Sequence, residues 1–514
     1  MKKILGRLLI VIPALALQVI WFFLVLVVLD KAAQGHLGEI IEAVFTFLAV
    51  FFVTRLISRR DESSYKLLWV LVIVAMPVLG SILYFTLGNK TTGKGLRKKL
   101  RKSASEFNWL HDGVNISDKE RIDEIAKEDV RLSQTLSFIS ESTGFPILKN
   151  DTSKYYPFGE DMFADMCDDL KKAESFIFIE YFIIQSGKFW DTITEILADR
   201  VKAGVDVRVM YDDLGSIATY SVKDISDLSQ KGIKCISFNP FFLIKSQLNN
   251  RDHRKIMIID GKVAYSGGVN LADEYINEKE LFGKWKDIGF RVTGTAVASY
   301  TYMFAEFWNA FSRQKISDGE LEKMHDHDWS EADNGYIIPY YDSPMRDEHT
   351  SNILFTEVLS TAKEYVWFYT PYLMLGDALF DAFIRAARRG LDVRIIMPGI
   401  PDKKLVYRLS RSYYEDLLKA GVKIYEYTPG FVHAKAFISD DKLACIGTVN
   451  LDYRSLFLHF ECSSVFYKAD IVADLKADYL NSLKDCRERT LEDINRKLTY
   501  RITDNFLRVV APLL

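Results

Sequence analysis

Apolar positions follow two regimes along this chain. Up to about residue 90 they run almost unbroken. Residues 8–29 hold no charge and only Gln18 as a strongly polar member, and residues 40–57 are apolar except for Glu42 and Arg55 near the ends. Residues 67–88 are uncharged but carry Pro77 and Gly80 at their centre. About 20 apolar residues suffice for a helix to cross a hydrocarbon core about 30 Å thick. The pattern therefore predicts N-terminal transmembrane helices at 8–29 and 40–57, and a third stretch broken at Pro77-Val78-Leu79-Gly80. A cleaved signal peptide fits less well, since its apolar part is about 7–15 residues and two more apolar runs follow here.

From about Asp151 short β-rich runs alternate with amphipathic stretches, and their order repeats. Phe176–Ile184 reads as a buried strand, Trp190–Ala203 as a helix and Gly204–Tyr211 as the next strand. Tyr365–Thr370, a helix over Ala378–Arg389 and the strand Gly390–Met397 repeat that order, and Gly232–Phe238 then corresponds to Gly421–Tyr427. Alternating strands and helices predict α/β architecture, with a mixed sheet flanked by helices in each of two duplicated halves. The expected organisation is a membrane anchor region at 1–105, a connector at 106–150, a first domain at 151–320, a linker at 321–345 and a second domain at 346–514.

Composition refines this picture. The 514 residues suit several units rather than one, and 49% hydrophobic with 26% charged residues excludes a disordered chain. Five scattered cysteines without a C-x-x-C pair suggest neither a disulfide framework nor a zinc knuckle. The net charge of −3 hides a basic run from Lys90 to Lys102, comprising Lys90, Lys94, Arg97, Lys98, Lys99, Arg101 and Lys102 with no acid among them. Such a run beside an apolar segment either meets anionic headgroups or is a solvated linker. Lys2, Lys3 and Arg7, the basic residues Arg55, Arg59, Arg60 and Lys66, and the Lys90–Lys102 run all favour the cytoplasmic side. Two crossings satisfy that rule if the third stretch enters and leaves by one face. The catalytic part is then expected on the cytoplasmic side of a multi-pass cell-membrane protein.

The strongest chemical signal is a repeated motif. His253-Arg-Lys255 precedes Asp260, and His433-Ala-Lys435 precedes Asp440, so both copies read H-x-K-x4-D. Each is followed at the same distance by Gly267-Gly268-Val269-Asn270 or Gly447-Thr448-Val449-Asn450. Alternation along a strand would put His253 and Lys255 on one face, and likewise His433 and Lys435. Two imidazoles and two ammonium groups suit a phosphodiester. One imidazole attacks phosphorus, the other protonates the leaving alkoxide, and the lysines stabilise the non-bridging oxygens. One copy holds half of this set, so a pseudo-twofold pairing of the halves would complete it. Asn270 and Asn450 are candidate donors, and an aspartate near each histidine, Asp260 or Asp440, could orient it.

These residues resemble the phospholipase D superfamily, whose paired motifs they match position by position over nearly all the chain beyond the membrane segment. The likeness is greatest to bacterial cardiolipin synthases. It is carried by Ile179-Glu-Tyr181, Tyr211-Asp-Asp-Leu-Gly-Ser216, Asn250-Arg-Asp-His-Arg-Lys255, Thr370-Pro-Tyr372, Asn450-Leu-Asp-Tyr-Arg-Ser455, Phe460-Glu461 and the Trp69–Tyr84 stretch. The resemblance implies duplicated phospholipase D-like domains. It implies transfer of phosphatidyl between two phosphatidylglycerols through a phosphohistidine, giving cardiolipin and glycerol without metal or other cofactor. It makes His253, Lys255, Asp260, His433, Lys435 and Asp440 catalytic, with His253 the nucleophile, and places Gly268, Asn270, Thr448, Asn450 and Glu461 around the substrate. A membrane-bound phospholipase D that gives phosphatidic acid is the alternative. His459 and Asp252 depart from the residues frequent in the family and bear on substrate choice. No nucleic-acid stripe accompanies the motifs. The sequence leaves oligomeric state open.

Other features are weaker. His325-Asp-His-Asp328 resembles metal-ligand material but sits in a polar connector. Asp212 and Asp213 could line the site or cap a turn. The first half has nine extra residues before its histidine, including Phe241-Phe-Leu-Ile244, which would form an apolar lip or pack on the core. Leu498–Leu514 could lie on the membrane surface or pack on the catalytic domain.

Overall fold

The computed structural model describes residues 20, 36–59, 62–84, 93–107, 119–240, 249–325, 327, 334–494 and 497–513. They fall into two compact units, one of residues 1–90 with 501–514 and one of residues 91–500. Lys90 falls in the first unit and the rest of the basic run in the second, and the last 14 residues are grouped with the N-terminal unit.

In the first unit the 8–29 span lies outside the described residues except for Ile20. Residues 40–57 belong to the helix His36–Ile57. The third stretch is broken where Pro77 predicts, because helix Ser63–Ala75 ends at Met76 and a short helix, Pro77–Leu83, begins at the proline. These two helices approach closely at Gly80, where a Cβ would lie 2.3 Å from the Val72 carbonyl oxygen. Tyr65, Trp69 and Tyr84 are buried between the helices, while Phe47, Val50, Phe51, Leu67, Leu71 and Val74 are exposed. Among the described residues no helix is long and apolar enough to cross a membrane. The C-terminal turn Ala511–Leu513 packs on helix Ser63–Ala75.

The second unit contains the predicted duplication. Its strands are β1 (Leu148–Lys149), β2 (Ser153–Tyr156), β3 (Phe176–Tyr181), β4 (Asp206–Asp212), β5 (Lys234–Phe238), β6 (Lys255–Ile259), β7 (Val263–Gly267), β8 (Lys284–Lys286) and β9 (Gly289–Thr293). The second half supplies β10 (Tyr336–Asp342), β11 (Tyr365–Tyr369), β12 (Asp392–Pro398), β13 (Lys423–Tyr427), β14 (Gly430–Val432), β15 (Ala436–Ser439), β16 (Leu443–Gly447), β17 (Glu461–Tyr467) and β18 (Cys486–Arg489). The first sheet runs β2-β9-β7-β6-β3-β4-β5, and the second runs β1-β10-β17-β16-β15-β11-β12-β13-β18. Without β1 and β18 the two orders correspond strand for strand. Each half is mixed, with β3, β4 and β5, or β11, β12 and β13, parallel and the remaining pairs antiparallel. The apolar run that opens β3 is explained by burial of the strand along its whole length, and its one charged residue, Glu180, is ion-paired with Arg254.

Strand β1, from the expected connector, pairs with β10 of the second sheet. A separate parallel pair couples β8 of the first half to β14 of the second, with Phe431 opposite Trp285. Helix Ala296–Phe311 is buried over nearly its whole length and contacts strands of both sheets. The basic run becomes helix Lys94–Ala104, whose Leu100 and Ser103 are buried while Lys94, Lys98, Lys99, Arg101 and Lys102 face outward. Ser103 donates to the Glu306 carbonyl at 2.6 Å, so this segment is docked on one side instead of being a solvated linker.

Candidate active site

Both motifs lie at the entry to a strand rather than within it. Lys255 opens β6, and Lys435 immediately precedes β15. In each copy the lysine folds back on its own histidine. Lys255 Nζ donates to the His253 carbonyl at 2.8 Å, and Lys435 Nζ donates to that of His433. All four side chains are buried.

Each histidine is oriented by a carboxylate from the other half. His253 Nδ1 is 2.7 Å from Glu461 Oε2, and His433 Nδ1 is 2.6 Å from Asp287 Oδ2. The backbones cross in the same sense, since His253 N donates to the Phe460 carbonyl (2.8 Å) and His433 N to that of Lys286 (2.7 Å). Binding Nδ1 leaves Nε2 of each ring as the atom available to a substrate. Glu461 was expected beside the substrate; Asp287 was not expected at all. Its signal was present, because Asp287 stands 19 positions after Gly268 and Glu461 13 positions after Thr448, but unequal spacing conceals the equivalence.

Asp260 and Asp440 do not orient the histidines. Asp260 accepts from the amides of Glu174, Ser175 and Phe176 at 2.7–2.9 Å, and Asp440 from those of Lys363, Glu364 and Tyr365 at the same range of distances. Both residues sit in hairpin turns with positive φ, 53° and 51°, a region that aspartate tolerates better than most residues. They fasten the β6–β7 and β15–β16 turns to the chain entering β3 and β11. The catalytic assignment of both is therefore corrected to a structural one.

Other expected site residues divide similarly. Asn270 is occupied, accepting from Ile183 N (3.1 Å) and donating to Tyr275 Oη (2.8 Å). Asn450 Oδ1 is buried with no hydrogen-bond partner among the described residues and stays available to a ligand. Thr448 Oγ1 donates to Glu461 Oε2 (2.5 Å) and accepts from Cys462 N (2.9 Å), so it positions a carboxylate. Gly268 makes space: a Cβ there would lie 2.0 Å from Asp287 Oδ1. Asp212 is a cap, accepting from Gly215 N (2.8 Å) and from Asp252 N (2.9 Å), and its burial raises its pKa to about 6. The His459 ring lies 6.5 Å from that of His253, tilted by 39°. His327 Nε2 lies 3.0 Å from the Asp260 carbonyl oxygen, which docks that part of the connector on the motif turn. Asp326 and Asp328 lie outside the described residues, as does Phe241–Ile244. Among the described residues no group of three or more His, Cys, Asp or Glu converges to hold a metal.

The electrostatics join the two halves. Burial, then Lys255 and Lys435, hold His253 well below the usual histidine range, and burial with Lys435 pushes His433 to about 3. Both imidazoles are neutral in the free protein. Burial also lowers Lys255 to about 8, and Lys435 to about 7 with the help of its repulsion from Lys255. Glu461 is raised by burial to about 8. For Asp287 burial acts upward, but His433 and Lys435 outweigh it and hold the carboxyl below its usual range. Phe182 meets the His253 ring edge-on at 4.8 Å, and Tyr275 meets His433 at 5.3 Å. The result is a desolvated pocket with two neutral bases and two amines whose charge an incoming phosphate would favour.

Comparison with known proteins agrees with this geometry. Residues 166–308 and 355–483 match the family model described as "Cardiolipin synthase, PLD-like domain", and residues 44–89 match "Phospholipase_D-nuclease N-terminal". The chain belongs to the phospholipase D-like cardiolipin synthase family. It is 31% identical over 506 residues to a cardiolipin synthase of Alkalihalophilus pseudofirmus, covering 97% of this chain and 99% of that one. A cardiolipin synthase of Halalkalibacterium halodurans is 31% identical over 490 residues, 94% of this chain and 95% of the relative. A Streptococcus mutans protein described only as uncharacterized is 40% identical over 465 residues, 90% of this chain and 99% of that one. The crystal structure of phosphatidylserine synthase from Haemophilus influenzae shares the fold. It is 12% identical with a TM-score of 0.57, over 74% of this chain and all of that one.

Proposed function

We propose that this phosphatidyltransferase makes cardiolipin by transferring phosphatidyl from one phosphatidylglycerol to another. The observation that carries the reading is the crossed pair of histidines, each aimed by a carboxylate of the opposite half. His433 takes up a proton on Nε2 as the substrate phosphate enters beside it; His253 Nε2 then attacks phosphorus and the bond to the glycerol oxygen breaks, while the His433 imidazolium gives that oxygen its proton. His433 then takes the proton from a hydroxyl of the second phosphatidylglycerol. The freed oxygen attacks phosphorus, the P–N bond breaks and cardiolipin leaves. Lys255 and Lys435 hold the non-bridging oxygens throughout. Attack is assigned to His253 because an ionised Asp287 best supports an imidazolium on His433, the state that donates a proton.

The enzyme acts at the cell membrane with its catalytic unit on the cytoplasmic side. The exposed apolar faces of helices His36–Ile57 and Ser63–Ala75 and the basic residues that follow them support this placement. Purified protein on phosphatidylglycerol vesicles should release glycerol and cardiolipin in equal amounts, and added glycerol should reverse the reaction. Phosphatidic acid as the main product would instead establish the hydrolase.

A further inference from the structure

The site opens at one end of both sheets. Lys255 pairs with Tyr181 at the end of β3, and Ala436 with Tyr369 at the end of β11, so the loops leaving the parallel strands form the rim around the histidines. Of the nine large apolar side chains exposed among the described residues of this unit, four stand on or directly after those loops, Ile217, Val222, Ile400 and Leu405, and a fifth, Leu281, stands beside them near Gly283, which abuts Ile400.

Both halves contribute. On the His253 side, Ile217 follows Gly215, whose backbone packs on Phe182, the ring that abuts His253. Val222, 84% exposed, opens the next helix. On the His433 side, Ile400 N donates to the Gly430 carbonyl (3.1 Å), three residues before His433, and Ile400 Cδ1 would meet a Cβ on Gly283 at 2.9 Å. Leu281 stands two residues before Gly283, and Leu405 lies in the first turn of helix Lys404–Ser412. Exposed lysines are interleaved with these residues: Lys223, Lys279, Lys403 and Lys404. Three of the neighbouring carboxylates are engaged. Asp402 accepts from Tyr372 Oη (2.6 Å), Asp224 binds Ser221, and Glu278 pairs with Lys188.

Large aliphatic side chains gathered at one mouth are a costly surface to leave in water. Apolar groups interleaved with lysines match a bilayer boundary, where the former reach the acyl region and the latter the headgroups. We infer that this rim inserts into an anionic phospholipid surface, so that the mouth opens directly onto the bilayer. The lipid-substrate reading above is needed only for what passes through the mouth; the contact itself does not depend on it.

The test uses the full chain with Cys235 and Cys486 replaced by serine. A single cysteine at Ile217, Leu281, Ile400 or Leu405 is labelled with an environment-sensitive fluorophore and the protein is reconstituted into phosphatidylglycerol vesicles. Lipids carrying a quencher near the carbonyl level should quench each rim label at least about twofold more than a label at Val130, near the opposite end of the second sheet. Equal quenching at rim and Val130 overturns the inference. In a second arm, Ile400→Asp combined with Leu405→Asp should lower turnover on vesicles about tenfold, yet leave turnover of dispersed short-chain phosphatidylglycerol within about twofold. Equal loss on both substrates would also overturn it. Quenched rim labels in a protein that forms no cardiolipin would sink the function and keep the rim, whereas cardiolipin formation with unquenched labels would do the reverse.

Discussion

The two halves reach the same arrangement at their histidines by different side chains. In one, Glu461 meets His253, and Thr448 fixes the longer carboxylate through its hydroxyl. In the other, the shorter Asp287 meets His433 in space that exists because residue 268 has no side chain. The accompanying charges differ as well. Asp287 is held ionised beside His433, while burial raises Glu461 to about 8. A duplicated fold has thus kept its geometry and divided its electrostatics, a division that suits the proposed roles of nucleophile for one histidine and proton donor for the other. The residue between histidine and lysine differs too. Arg254 is buried, ion-paired with Glu180 and stacked 3.5 Å over Phe307, whereas Ala434 takes the equivalent place in the second half.

The largest expected effect tests whether the halves share one site. His253→Ala and His433→Ala should each lower cardiolipin formation by about 10³-fold or more, with thermal unfolding little changed. A phosphatidyl ester of p-nitrophenol separates their roles, because that leaving group needs no proton. On it His433→Ala should release one equivalent of nitrophenol in a burst and retain phosphatidyl on His253, while His253→Ala should release none. A burst from the His253 variant would exchange the roles.

A smaller effect measures the division between the carboxylates. Asp287→Asn should cost about 10²-fold on phosphatidylglycerol and much less on the nitrophenyl ester, whereas Glu461→Gln should cost about tenfold on both. Equal behaviour of the two variants on both substrates would remove the asymmetry. The supporting residues come next. Gly268→Ala places a methyl group against Asp287 and should lower turnover about tenfold, and Thr448→Val should do so less, with Thr448→Ser restoring activity. Full activity in Gly268→Ala would show that the Asp287 position tolerates displacement.

The smallest effect is the pH dependence. The lowered lysines lose charge as pH rises through about 7 for Lys435 and about 8 for Lys255, so kcat/KM should fall on that alkaline side. Lys435→Arg should move the fall to higher pH, because guanidinium stays charged there. Glu461→Gln should leave it in place, and its disappearance in that variant would assign the limb to the carboxyl.

The sequence by itself determined the duplication, the α/β elements, the break at Pro77 and the pairing of His253 with Lys255 and of His433 with Lys435. Each is written in local periodicity or in fixed spacing within one copy, which short-range stereochemistry preserves. The conserved-looking spacing misled at Asp260 and Asp440, since a residue can hold its place in a motif because a left-handed turn and three amides need it there. Tertiary structure alone decided which carboxylate serves which imidazole. The partners are 208 residues apart in one case and 146 in the other, and each crosses between the halves. No periodicity spans such a distance. Only the packing of β8 beside β14, and of Asp252 beside Phe460, brings them within a hydrogen bond, and the balance there between burial and the neighbouring charges sets which of them stays charged.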